Sequence, residues 1–353
     1  MNRFSQIIIL LVACLPMKAG NLNLVQKGDS CMEAYDNYHA LQFYEAAFKE
    51  NDNPEIRRKL ANCLYERDSY RRCADLLSPL PQDSLSHKAL RQLFYCYKYL
   101  DQKKLYKTLG NTILERYHMD GEVLADLAAS YIANDNPDKA YILTCEYYLK
   151  DSTNIAVNHQ FADACFIKEL YPLAATIYEK MLKAGVETYS VYYSLGVCHE
   201  QLKAMDKAKA TLEKAVALSD STKAGALYYL GYVDNELKLY NEATPCFLKA
   251  LQLYEPDPSV MYISYSGLAE SYYQKQNYRQ ASYAFKKALE VNPSALTANY
   301  YLGACYEQMN DRQNAIFCYN GFLSSAAMLK EKSKAMEEMI SFAQKRIADL
   351  KKH

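Results

Sequence analysis

The feature that most narrows what this chain can become is a slot that returns about every 34 residues. It holds Ala40, Cys73, Tyr106, Ala140, Ala174, Ala208, Ala243, Ala281 and Ala315, at steps of 33, 33, 34, 34, 34, 35, 38 and 34. Thirteen residues before the last eight stand Leu60, Leu93, Leu127, Phe161, Leu195, Leu230, Leu268 and Leu302. Small residues follow most of these: Ala61, Ala128, Ala162, Gly196, Gly231, Ala269 and Gly303, with Phe94 as the exception. The first copy has Lys27 in the leucine slot and keeps Gly28. Within each copy Leu, Tyr and Phe recur at three- and four-residue spacing, which predicts a pair of amphipathic helices. Small side chains at the recurring slots let two helix axes approach to about 8 Å. A single pair cannot bury its apolar face, so the copies must stack, and stability becomes a sum of neighbour terms.

Composition agrees with a helical array and excludes several alternatives. Gly and Pro number only 11 and 10 in 353 residues, too few for the frequent turns of a sandwich or barrel. Half the residues are apolar, enough for a continuous core. Lys plus Arg and Asp plus Glu both count 41, so no net positive field gathers polyanions, and nucleic acid is excluded as the expected partner. Tyrosine reaches 34 while tryptophan is absent.

The phased slots resemble the tetratricopeptide repeat, whose pattern has large residues at repeat positions 4, 7, 11 and 24 and small ones at 8, 20 and 27. In the last copy Asn299, Leu302, Gly303, Tyr306, Ala315, Tyr319 and Phe322 take these places. In the copy before it stand Tyr265, Leu268, Ala269, Tyr272, Ala281, Phe285 and Ala288, with Pro293 at position 32. The resemblance implies an all-α, right-handed superhelical solenoid of about nine helix hairpins, with copies starting near residues 21, 54, 87, 121, 155, 189, 224, 262 and 296. The array is expected over 20–327. Residues 328–353 then form an amphipathic capping helix with Met336, Met339, Ile340, Phe342, Ala343, Ile347 and Leu350 on its apolar stripe.

Two departures predict local change. Cys73, Tyr106 and Phe94 put bulk where the pattern wants small residues, so the helices of the second and third copies should shift. Pro245 falls inside a predicted helix, and the run Glu255-Pro256-Asp257-Pro258 accompanies the 38-residue step. A kink or late helix start is expected there, marking either a sub-array boundary or simply a longer loop.

Residues 1–19 carry Arg3, an apolar run from Ile7 to Leu15, and a small-residue cleavage site ending at Ala19, the pattern of a secretory signal peptide. The run is too short for a stable membrane span, and no transmembrane segment is expected in the mature chain. An alternative uses Leu11-Val12-Ala13-Cys14 as a lipobox, with Cys14 lipidated and serving as an anchor. None of the 20 asparagines sits in a glycosylation acceptor, which favours a bacterial envelope protein, periplasmic or held on the periplasmic side of its membrane.

No catalytic constellation is legible, and neither cofactor nor metal is expected. His39, His87, His118, His159, His199 and His353 are scattered, with no metal-binding helix motif or phosphate-cradling loop. Cys165 and His199 occupy equivalent slots of adjacent helices, but a buried thiol beside a packed imidazole accounts for them. The cysteines fall into repeat slots: Cys63, Cys96, Cys198 and Cys305 at position 10, Cys246 and Cys318 at position 23. Equivalent slots of stacked helices lie about 8 to 10 Å apart, beyond disulfide reach, so mostly free, buried thiols are expected; Cys63 with Cys73 stays open.

Binding remains. In the family resembled, the first helix of each repeat lines the concave face through positions 2, 5, 9, 12 and 13. Here those slots hold Tyr95, Tyr99, Tyr193, Tyr228, Tyr232, Tyr273 and Tyr300, with Arg58, Asn62, Lys98 and His159. Acids share them: Glu122, Asp163, Glu200, Glu236, Glu270 and Glu307. A flat apolar ring with a hydroxyl suits adaptable peptide recognition, and the acids favour basic and apolar partner side chains. The alternative role for any of these tyrosines is packing between neighbouring helices. A known variant of the family clamps a C-terminal carboxylate with Lys, Asn, Asn, Lys and Arg. Arg58, Asn62 and Gln92 fill the first three places, but Glu122 and Asp126 reverse the charge of the last two, and that mode is rejected. The sequence thus points to a non-catalytic scaffold holding a protein or peptide in a tyrosine-rich groove, the alternative being an assembly subunit that attaches through its ends or convex face.

Overall fold

The computed structural model describes residues 23–253 and 258–352. The signal peptide over 1–19, Cys14, Glu255-Pro256-Asp257 and His353 lie outside the described residues. Among those described there are nineteen α-helices, one short 3-10 turn and no strand. In chain order they are α1 (Leu24–Glu33), α2 (Asn37–Glu50), α3 (Pro54–Tyr65), α4 (Tyr70–Leu77), α5 (His87–Tyr99), α6 (Lys103–Arg116), α7 (Gly121–Ile132), α8 (Pro137–Tyr148), α9 (Ile155–Ile167), α10 (Tyr171–Lys183), α11 (Tyr189–Gln201), α12 (Met205–Leu218), α13 (Ala224–Glu236), α14 (Tyr240–Gln252), α15 (Pro258–Gln274), α16 (Tyr278–Val291), α17 (Leu296–Gln308), α18 (Arg312–Ala327) and α19 (Lys334–Lys352). Odd-numbered helices up to α17 are the first, or A, helices of the hairpins; their even partners are the B helices.

The turn from A to B helix has one recurring construction. Tyr35, Asp68, Asp101, Asp135, Glu169, Lys203, Lys238, Gln276 and Asn310 all have φ between 53° and 62°, each five residues before the alanine slot. The next residue's N–H donates back five positions, as in Ser69 to Leu64 (2.9 Å) and Leu170 to Cys165 (2.9 Å). The left-handed residue's own N–H donates back three, as in Asp68 to Tyr65 (3.0 Å) and Glu169 to Phe166 (3.0 Å). This pair of bonds satisfies the last carbonyls of each A helix and reverses the chain within two residues. None of the nine positions is glycine, so each turn holds an L side chain in a disfavoured conformation. Several B helices then begin on a side-chain cap: Asp36, Asn136, Asn277 and Asp311 accept from the backbone three residues on.

By compactness the chain divides between Leu127 and Ala128, inside α7. In the N-terminal body the expected misfit at the second and third copies is resolved by exchanging bulk. Phe94 is fully buried and stacks on Tyr106 with centroids 4.5 Å apart and planes 24° from parallel. Gly110, one turn beyond Tyr106, makes the room: a Cβ there would stand 2.8 Å from the Phe94 ring. Cys73, also fully buried, shares a thiol hydrogen bond with Cys96, and the Cys63 thiol donates to the Asn37 carbonyl (3.3 Å), so the Cys63–Cys73 disulfide left open is not formed and all three are free thiols.

In the C-terminal body Ala140, Ala174, Ala208, Ala243, Ala281 and Ala315 have no solvent exposure. The division by compactness falls inside α7, not at Pro245, where the sequence leaves both a boundary and a longer loop open. Pro245 sits inside a continuous α14, where the Thr244 hydroxyl donates to the Tyr240 carbonyl (2.7 Å). The four extra residues of the long step lengthen α15 instead: it starts at Pro258 rather than near 262, and runs 17 residues. Proline is tolerated as a first helical residue because its missing N–H would have no partner there. At the far end α19 lays Ala343 and Ile347 onto the core beside Phe322 and Tyr319, and Arg346 pairs with Glu307.

Candidate functional site

Successive A helices touch one another: α3 with α5 in the N-terminal body, and α9, α11, α13 and α15 in series in the C-terminal body. B helices make no comparable contacts with each other. The A helices therefore take the inner side of each stack, where some residues at repeat positions 2, 5, 9, 12 and 13 reach the surface while others, such as Val197, Glu200 and Asn235, are buried.

One cavity of about 340 Å³ opens on this surface of the C-terminal body. α13 contributes Tyr228 and Tyr232; α15 contributes Ile263, Ser266, Gly267, Glu270, Tyr273 and Gln274; α17 contributes Thr297 and Tyr301, and α16 contributes Phe285. Of the tyrosines singled out from the sequence, Tyr228, Tyr232 and Tyr273 are brought together here. The other lining residues split in two. Ile263, Ser266, Gln274 and Thr297 occupy the same inward positions but are not tyrosines, so their signal was positional. Tyr301 and Phe285 lie outside those slots and line the cavity with their rings stacked, 5.9 Å apart and 11° from parallel.

The walls are fixed from behind. Phe247 of α14 is fully buried between α13 and α15, its ring 3.1 Å from where a Cβ on Gly231 would stand and nearer still to one on Gly267. Asn235, nearly buried, donates to the Gly267 carbonyl (3.0 Å) and accepts from the Ser271 hydroxyl (2.6 Å), joining α13 to α15 by a satisfied polar network. Burial raises the phenol pKa of Tyr228, Tyr232 and Tyr273, so these hydroxyls stay protonated and can donate. Burial, and then the charge of Glu236, raise the pKa of the Glu270 carboxyl.

The remaining candidates fall elsewhere. Tyr193 stacks on Tyr189 (5.6 Å, 10°) and meets the edge of Tyr229. Tyr300, half-buried, packs its ring against Tyr319, Phe322 and Phe342 beside α19 and is not among the residues that line this cavity. In the N-terminal body Tyr99, 56% exposed, stacks on Tyr70 at 4.4 Å, with Tyr95 behind it. Asn62 accepts from the buried Gln92 (2.9 Å), while Arg58 makes no ion pair among the described residues. The two acids that reverse the carboxylate clamp are neutralised in place, Glu122 by Arg91 and Asp126 by Lys98 (2.7 Å).

His199 does not meet Cys165. Its Nδ1 lies 3.3 Å from the Thr211 hydroxyl and its Nε2 3.5 Å from Glu179. The ten cysteines among the described residues are free thiols, seven of them buried, and burial raises the pKa of Cys165 and Cys198 to about 12. Such thiols are poor nucleophiles at neutral pH. Among the described residues no group of three His, Cys, Asp or Glu side chains is placed to hold a metal, and no helix is long and apolar enough to cross a membrane.

Comparison with known proteins agrees with the architecture. Two family models, each described as a tetratricopeptide repeat, match residues 189–222 and 267–318. No curated protein matches the sequence. Among solved structures, the Cut9–Hcn1 hetero-tetramer of the APC/C is similar over 92% of this chain and 65% of its own, with 15% identity and a TM-score of 0.52. YrrB, described as a TPR protein with an unusual peptide-binding site, matches at 21% identity and a TM-score of 0.46, covering 54% of this chain and 95% of its own. A tetratricopeptide repeat protein from Parabacteroides merdae matches at 13% identity and a TM-score of 0.47, covering 73% and 98%.

Proposed function

Because the chain is a tetratricopeptide repeat protein, a fold that suggests a protein–protein interaction scaffold, we propose that it holds a peptide segment or protein partner on the inner face of its C-terminal body, without catalysis. The observation that carries this reading is the convergence of Tyr228, Tyr232 and Tyr273, from two A helices, on one cavity. Rigid aromatic walls offer large contact area at low ordering cost, and protonated hydroxyls supply hydrogen bonds to a partner backbone. The proposal includes export, as a periplasmic or lipid-anchored bacterial envelope protein, supported by the charge, apolar run and small residues of 1–19. Mass spectrometry of the mature N-terminus separates cleavage after Ala19 from lipidation at Cys14; an intact Met1 refutes both.

Selection of a random displayed peptide library on the full chain tests the groove. Binders should emerge, and Tyr228→Ala with Tyr232→Ala should remove their binding while far-UV circular dichroism stays unchanged. Binding that survives the double change would place the partner elsewhere. Tyr283 and Phe317, 63% and 76% exposed on B helices α16 and α18, favour a second reading as an assembly subunit using the outer face. Concentration-dependent self-association in small-angle scattering is its expected signature.

A further inference from the structure

Resting on the groove reading, we propose that the cavity between α13, α15 and α17 is a pocket for one basic side chain, lysine or arginine, carried by the bound segment. The case begins with a contrast among the acids of the inner face. Glu122 is paired with Arg91, Asp163 with His159, Glu200 with Lys203 (3.3 Å) and Glu307 with Arg346. Glu236 and Glu270 have no ion pair or side-chain hydrogen bond among the described residues. Glu270 lines the cavity, and Glu236, which is exposed outside it, stands near enough for its charge to act on Glu270. Lys203, held by Glu200, also acts on Glu236, so the exposed Glu270 is the carboxylate of the cavity wall left without a cation beside it, and a positive ligand group is favoured there over an anionic one.

The cavity supplies the rest of the complement. At about 340 Å³ it exceeds by far the share of one water, about 30 Å³, so a long side chain can enter it. Its walls are the rings of Tyr228, Tyr232, Tyr273 and Tyr301, whose faces attract a cation and cover an aliphatic stem. An ammonium or guanidinium N–H would pair with Glu270 on the same wall, whereas a purely apolar side chain would leave that carboxylate without a cation.

The test uses the full chain and the tightest peptide recovered from a random displayed library, synthesised with a tryptophan outside its selected motif. The protein has no tryptophan, so the peptide alone is excited at long wavelength. The selected peptides should share one Lys or Arg. Replacing it by norleucine or citrulline, and separately making Glu270→Gln, should each weaken binding about tenfold or more, and the two changes together should cost little beyond either alone. Glu270 makes no ion pair, so Glu270→Gln is expected to fold as the parent, which circular dichroism verifies. Peptides without a shared basic residue, or unchanged binding by Glu270→Gln while Tyr232→Ala abolishes it, would overturn the pocket and leave the groove standing. If neither variant alters binding, or no peptide is recovered, the groove reading falls with it.

Discussion

Replacing left-handed turn residues by glycine should stabilise this protein without adding a single contact. Glu169, Lys238 and Gln276 are the positions to change: they hold φ of 59°, 62° and 58°, and their side chains are exposed without ion pairs among the described residues. Lys203 is unsuitable because it neutralises the buried Glu200. An L residue in the left-handed well costs about 1 to 2 kcal/mol. Glycine removes that cost but gives the unfolded chain extra freedom, an opposing effect of about 0.4 to 1 kcal/mol. The net gain is about 0.5 to 1 kcal/mol per site, hence roughly 1.5 to 3 kcal/mol for the triple variant, if the turns act independently. For a body of this size that is a rise in melting temperature of roughly 3 to 12 °C. Urea unfolding followed by far-UV circular dichroism should show a higher midpoint with an unchanged slope. The reciprocal control is Gly185→Ala, at φ 85° with open space around its Cβ, which should lose about 1 kcal/mol. If the triple variant is unchanged or weaker while Gly185→Ala is neutral, turn strain is not the operating term.

Two further perturbations probe the support of the site. Gly267→Ala would press a methyl into the Phe247 ring, with three ring carbons within 3.0 Å, whereas Gly231→Ala meets the same ring at 3.1 Å. Overpacking of about 1 to 3 kcal/mol should outweigh the helix gain of about 1 kcal/mol for Gly267→Ala and roughly cancel it for Gly231→Ala. Equal unfolding midpoints for the two would contradict this order. His159 lies 2.9 Å from Asp163, and its hydrogen bond to that carboxylate raises its pKa above the ordinary 6.5. Its stabilising effect is therefore complete below about pH 6.5 and fades as pH rises through the folded value. An NMR titration should place the folded imidazole above 6.5 and lower it in Asp163→Asn; no downward movement in that variant removes the pairing from the explanation.

The small-residue slots were legible because close helix packing leaves an imprint of fixed period. Ala174, Ala208 and Ala281 are small for the same geometric reason and are all fully buried. The turns were not legible: a left-handed bend usually announces itself by glycine, and Glu169 or Lys238 carries no such mark because helix packing on both sides holds it in place. The exchange of bulk at Phe94, Tyr106 and Gly110 was half visible. The misfit showed, but the compensating glycine belongs to a different slot.

For the candidate site, inward positions followed from phase alone, which is why Tyr228, Tyr232 and Tyr273 could be named in advance. Tyr300 shares that phase yet seals the core under α19, because its neighbours include a helix outside the repeat pattern. Periodicity thus determines which residues face a neighbour, since every hairpin solves the same packing problem. Which of those neighbours leave a gap, and which acids find a cation, is decided by side chains from different hairpins meeting in space, and only the tertiary structure holds that information.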